Sequence, residues 1–338
     1  MPARHIALVP LAILAVAVAT LAQDQQPSFR SEVQLVNVTL TVTDAEGRFV
    51  PGLTQEDFTV YEDGEVQSVS LFSAERVPVS LGLALDASAS MTSDKLRSAR
   101  RALDRLVHDL LGKDDELFFL RFADDVAIVQ GWTRDRHSIS RAVETVRPSG
   151  GTAMYDAIAA ALPTAEAGRH RKKAILLISD GNDTSSQIGP REVREQIRAS
   201  DVLVYALGID GSGDATPGTT RPPTRPPGFP VPFPGGRRPQ SRLPPIAEPT
   251  VPWPGSTQAR VNVDALRQLT DDTGGRTEVL RAYADLEAAT ARIAEELSRQ
   301  YFLGYASTAA ADGRWRAIAV TVRDQTLTVR ARRGYVAS

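Results

Sequence analysis

The chain has 338 residues, no cysteine, and 39 lysines and arginines against 41 aspartates and glutamates, for a formal charge of −2. Near-neutrality without a long basic stripe excludes the electrostatic footprint of a nucleic-acid binder. The lack of thiols excludes disulfides and a thiol-linked lipid anchor, so the folded parts rest on their cores alone, and the length suffices for two domains of ordinary size.

Residues 1–22 begin with a single arginine, run through an apolar stretch from Ile6 to Leu21 and end in small residues. That is the pattern of a secretory signal peptide cleaved near Ala22. The stretch is short for a bilayer span, which needs about 20 apolar residues, and Pro10 interrupts it, so cleavage is favoured over an uncleaved anchor. Removing it leaves 38 basic against 41 acidic residues, a formal charge of −3. The expected location is exported: periplasmic, cell-envelope or extracellular, with no stable membrane span after cleavage.

From Val33 to Phe72 the pattern alternates. Val36, Val38, Leu40 and Val42 share one strand face, and Phe58-Thr59-Val60-Tyr61 runs into the turn Glu62-Asp63-Gly64 before Val66, Val69 and Leu71. Near the other end Ile318, Val320 and Val322 alternate, then Leu327, Val329 and Ala331. Short β pieces of this kind are marginal alone. The expectation is therefore one small β-sandwich-like domain made from residues 31–76 and 301–338.

Between them strands and helices take turns. Val79 to Leu85 is an apolar strand, and Ser93 is placed to cap a helix carrying Leu96, Leu103, Leu106, Val107 and Leu110. Leu117 to Phe122 and Val126 to Val129 read as strands, Ser138 to Val146 as a helix, and another helix follows Thr152. Ala174 to Ser179 is apolar on both faces, Pro190 suits a helix first turn, Val202 to Leu207 is a strand, and Val263 to Leu269 a helix. The last helix runs from Tyr283 to Gln300 with Leu286, Ile293 and Leu297 inward. Alternation of this kind predicts an α/β domain over residues 79–300, with a mainly parallel central sheet flanked by helices. Within it, residues 211–256 form a proline-rich excursion, 14 of the chain's 22 prolines falling between Gly211 and Gly255. Proline cannot donate to a ladder and restricts its predecessor, so a disordered insertion is expected there.

Three strand-to-helix junctions each carry oxygen ligands. Asp86-Ala87-Ser88-Ala89-Ser90 ends the first apolar strand, Ser149-Gly150-Gly151-Thr152 precedes a helix, and Ile178-Ser179-Asp180-Gly181 closes another strand. In an open parallel sheet such ends share one edge, where ligands bind. Two carboxylates balance a dication, while the hydroxyls of Ser88, Ser90 and Thr152 add ligands without repulsion, and magnesium sheds its water reluctantly and leaves a place free. Capping of the following helices is the simpler role for any one aspartate, but all five residues in order point to metal.

These residues resemble the metal-ion-dependent adhesion site of the von Willebrand factor type A domain, a Rossmann-like fold. The likeness covers roughly Val79 to Gln300. The flanks, Phe58 to Gly64 and Gln300-Tyr301-Phe302-Leu303-Gly304-Tyr305, resemble a bacterial secreted subgroup, the VWFA-related acidobacterial domain proteins. The resemblance implies Mg2+, with Mn2+ or Ca2+ as alternatives, held by Asp86, Ser88, Ser90, Thr152 and Asp180, the aspartates partly through water. It also implies a protein partner that offers an acidic side chain to the ion.

Asp124, Asp125, Asp183 and Thr184 read as loop residues, and Arg169 to Lys173 as a solvated basic loop. The four histidines show no metal-ligand spacing, and the chain carries no His-Glu-x-x-His, nucleophile elbow or phosphate loop. The expectation is a binding protein and not an enzyme. The alternatives are an envelope scaffold with a structural metal and a metal-assisted hydrolase.

Overall fold

The computed structural model describes residues 34–210 and 261–337. The signal peptide expected over residues 1–22 and the proline-rich insertion expected over 211–256 lie outside the described residues. Among the described residues no helix is long and apolar enough to cross a membrane.

A six-stranded sheet forms the centre. Its strands are β5 (Val79–Asp86), β6 (Glu116–Phe122), β7 (Val126–Thr133), β8 (Lys172–Ser179), β9 (Leu203–Ile209) and β10 (Thr277–Leu280), in the order β10-β9-β8-β5-β6-β7. All neighbours are parallel except β6 and β7. Helices α1 (Ser93–Arg105), α2 (Arg136–Thr145) and α6 (Leu286–Ser298) pack on one face; α3 (Met154–Glu166), α4 (Pro190–Ala199) and α5 (Val263–Thr270) pack on the other. Covered on both faces, β5 is buried along its whole length, which is why Val79 to Leu85 reads as an unbroken apolar run.

The register positions the site. Leu85 lies level with Ile178 and Asp86 with Phe122, so β5 and β8 end on the same edge. From β5 the chain goes to β6 on one side and later returns to β8 on the other. A crevice opens at such a switch point.

Gly82 is fixed by packing. A Cβ there would lie 2.3 Å from Phe118 Cζ, and Phe118 is itself held edge-on by Trp132, with ring centroids 4.8 Å apart. Gly82→Ala is therefore expected to lower unfolding free energy by about 1–3 kcal/mol through overpacking. Urea titration checks this, and an unchanged midpoint would contradict it.

The ends of the described chain form two further four-stranded antiparallel sheets. One is β13 (Thr328–Ala331), β1 (Gln34–Thr43), β11 (Tyr301–Ser307) and β4 (Val69–Ser73). The other is β14 (Gly334–Val336), β12 (Trp315–Val322), β2 (Phe58–Glu62) and β3 (Glu65–Gln67). Val36, Val38, Leu40 and Val42 share one core with Phe58, Val60, Leu303 and Ile318, as their alternation predicts.

Several boundaries differ from the sequence reading. Val66 does not join Val69 and Leu71, because the chain passes from one sheet to the other between β3 and β4, leaving Val66 67% exposed. Glu62 is no turn residue: Asp63 and Gly64, both at positive φ, make the hairpin turn, while Glu62 points inward and accepts from Tyr305 Oη (2.7 Å) and Ser307 Oγ (2.8 Å). Thr92, not Ser93, caps α1. Strand β7 continues past Val129 to Thr133, since an edge strand with bulged register need not stay apolar. The last helix begins as a 3-10 turn over Tyr283–Asp285 and is α-helical only from Leu286. Strand β10, four residues at the sheet edge, is too short a run to carry a period in the sequence.

Candidate metal centre

Each of the five sequence-selected residues lies at the carboxyl edge of the central sheet. Asp86, the last residue of β5, is 0% exposed. Its Oδ1 accepts from Ser88 N (2.8 Å) and its Oδ2 from Ser179 Oγ (2.6 Å). Those bonds turn the chain back at Ser88, whose Oγ lies 2.9 Å from Ser90 Oγ. Asp180 directly follows β8; its Oδ1 accepts weakly from Asn182 N (3.3 Å). Its Oδ2, buried, has no hydrogen-bond partner among the described residues, and Lys95 Nζ stands 3.9 Å away.

Thr152 is brought to the same rim by backbone bonds between loops. Ser149 N donates to Ala87 O (2.8 Å) and Ala89 N to Gly150 O (3.0 Å), pairing the loop before α3 with the loop after β5. Thr184 N and Ser185 N donate to Thr152 O, and Thr152 N donates to Thr184 Oγ1 (2.9 Å). Thr152 is itself buried.

Three supports were not legible in the sequence. Asp124, read there as a solvated turn residue, accepts from Gly151 N (2.6 Å) and Ser185 Oγ (3.0 Å). It occupies the space where a Cβ on Gly150 would fall, 1.9 Å from Asp124 Oδ2, and Gly150 has φ +71°. Asp183 Oδ2 accepts from Met154 N (2.8 Å) and Tyr155 N (3.1 Å), capping α3 from 29 residues away. This replaces the missing local cap at Ala153. Lys95 carried one overlooked signal, a cation in a helix first turn, where the dipole favours anions. Asp125, by contrast, is the surface residue it seemed, paired with Arg121 at 2.5 and 2.9 Å.

Burial pushes the Asp86 carboxyl up to about 6. Hydrogen bonds from Ser179 and Ser88 oppose that rise, and the Asp180 charge adds to it. Two buried carboxylates and one ammonium leave the rim short of positive charge at neutral pH, with an unsatisfied buried oxygen facing it. The donors are all hard oxygens, which suits magnesium, manganese or calcium. Among the described residues no three His, Cys, Asp or Glu cluster together; this set, with two carboxylates and three hydroxyls, is of a different kind. The residues present fit a divalent cation.

A family model described as "von Willebrand factor type A domain" matches residues 81–220. The chain is 32% identical over 111 residues to an uncharacterized protein, sll0103, of Synechocystis, covering 32% of this chain and 26% of that protein. It thus spans about a quarter of the length of that curated relative. Among solved structures it is similar to the conserved hypothetical protein BatB of Bacteroides thetaiotaomicron (22% identity, 64% of this chain and 98% of that one, TM-score 0.44). It is also similar to proximal thread matrix protein 1 from the mussel byssus, solved with a zinc-occupied MIDAS motif (13% identity, 70% and 50%, TM-score 0.49). The family match begins within β5 and takes in both aspartates and all three hydroxyl residues of the rim, so over residues 81–220 the chain matches the von Willebrand factor type A domain.

Proposed function

We propose that the chain is an exported binding protein that receives an acidic side chain of a protein partner on a divalent cation, held by Asp86, Ser88, Ser90, Thr152 and Asp180. One observation carries the reading: Asp180 Oδ2, buried and without a hydrogen bond among the described residues, stands in a rim built from five oxygen-bearing side chains. An unsatisfied buried carboxylate oxygen costs free energy unless something occupies its lone pairs. A bound dication would satisfy it and present an electropositive position to an incoming carboxylate.

The surroundings favour binding over catalysis. His108, in the helical turn Leu106–Leu110 that follows α1, and His137 on α2 have ring centroids 5.2 Å apart. His170 precedes β8, at the opposite end of that strand from Asp180, and meets Asp114 O at 2.9 Å. Among the described residues, the rim thus gains no imidazole to serve as a general base. The leader-like residues 1–22 support a place outside the cytoplasm.

The test is calorimetric titration of the purified chain with MgCl2, beside Asp86→Ala. The wild type is expected to bind and the variant to lose about 100-fold or more in affinity. Equal heats from both would remove the metal from the account. Capture of envelope proteins with and without EDTA then reads the partner, and capture indifferent to chelator would favour the scaffold alternative.

A further inference from the structure

We propose that Lys95 is a resident cation of this rim, one that balances Asp180 in the metal-free protein and weakens divalent-ion binding, so that the loaded site keeps a net positive charge for an acidic partner. The inference rests on the metal reading above.

Lys95 is the third residue of α1, and its side chain is 7% exposed. Two costs attend that position: the helix N-terminus repels cations, and an ammonium taken out of water must be paired. Two arginines of the same helix avoid them. Arg97 and Arg101 lie on the outer face with side chains 65% and 63% exposed. The compensation for Lys95 is Asp180, its ion-pair partner at 3.9 Å. That separation is too long for a hydrogen bond. Lys95 therefore supplies charge without occupying the lone pairs of Oδ2, which accept no hydrogen bond among the described residues.

Charge counting gives the consequence. With both aspartates ionised, the metal-free rim carries one net negative charge with Lys95 and two without it. A dication brings these to plus one and zero. Lys95 thus makes the ion bind less tightly, while leaving the loaded rim attractive to a carboxylate that the neutral version would hold less well. By linkage, a bound carboxylate then strengthens retention of the ion.

The experiment titrates MgCl2 alone into wild type, Lys95→Met, Lys95→Gln and Asp86→Ala, and follows thermal unfolding of each in EDTA and in saturating MgCl2. Lys95→Met and Lys95→Gln are expected to bind magnesium about tenfold more tightly than wild type. In EDTA they should melt lower than wild type, because Asp180 loses its counter-charge, and magnesium should narrow that gap. Equal or weaker magnesium binding by both neutral variants, or a melting gap that magnesium does not narrow, overturns the proposal. If wild type binds, Asp86→Ala does not and Lys95→Met matches wild type, Lys95 alone loses its role. If neither wild type nor the Lys95 variants bind, the metal reading falls and takes this inference with it.

Discussion

Glu296→Ala is expected to destabilise the protein by about 3–5 kcal/mol, the usual cost of removing one partner from a buried charged network, while leaving magnesium binding unchanged. Glu296 lies on α6, 6% exposed, where the central sheet meets the antiparallel one. Its Oε1 accepts from Tyr205 Oη on β9 (2.8 Å), from Thr41 Oγ1 on β1 (3.2 Å) and from Arg330 on β13. Its Oε2 stands 3.3 Å from Arg276 Nε. Gln300 joins the same group, donating to Tyr205 Oη at 3.0 Å. One carboxylate thus ties a helix, the central sheet and two strands of the outer sheet. Without it, the Arg330 guanidinium loses its counter-charge, Arg276 is left with Glu278 alone (2.6 Å), and the fully buried Tyr205 hydroxyl loses its acceptor. Glu296→Gln keeps the shape but not the charge and should fall between. Urea unfolding followed by tryptophan fluorescence measures the difference, and a cost below about 1 kcal/mol would refute the account.

That network marks the boundary of what the sequence discloses. Periodicity is a local signal: Val36, Val38, Leu40 and Val42 announce their face two residues at a time, and Leu286, Ile293 and Leu297 announce theirs at helical spacing, all inward as read. The strand-ending Asp86 and Asp180 were legible for the same reason, each closing an apolar run. Thr41 and Glu296 are 255 residues apart, Asp183 caps a helix through the backbone of Met154, and Glu62 meets Tyr305 across 243 residues. Pairings of this kind have no period. They follow from topology, and topology was known only as a class. Val66 shows the same limit on a smaller scale, since the alternation that groups it with Val69 is correct for each strand and silent about the change of sheet between them. Lys95 and Asp124 are different again. Asp124 is ordinary for a turn and Lys95 is unusual only as a cation in a helix first turn, and it is the position of Gly151 in one case and Asp180 in the other that gives them a task.

A second large effect is expected from pH at the opposite end of β8 from Asp180. Lys172, the first residue of that strand, is 4% exposed, and its Nζ donates to Leu297 O (2.8 Å) at the end of α6. Burial pushes its ammonium down from 10.5 to about 8, against the attraction of Asp115 and Glu296. Between about pH 8 and pH 10.5 the unfolded chain therefore holds a proton that the folded chain has released. Stability rises with pH wherever the unfolded state binds more protons. The folded protein should gain roughly 3 kcal/mol across that window from this group, at about 1.36 kcal/mol per pKa unit, and the penalty is present in full below pH 8. Tyr205 and Tyr305 pull the other way near and above pH 10, because burial raises both phenols, so that the folded state keeps protons the unfolded state loses. The quantity to measure is therefore the difference between wild type and Lys172→Met, in which the tyrosines cancel. The variant lacks the buried charge and should have its greatest relative advantage at pH 7. Wild type should then recover against it steadily from pH 8 toward pH 10, because the neutral amine still donates to Leu297 O and methionine cannot. Chemical denaturation at half-unit pH steps reads that slope, and a difference that stays flat from pH 7 to pH 10 would show that Lys172 keeps its proton in the folded protein.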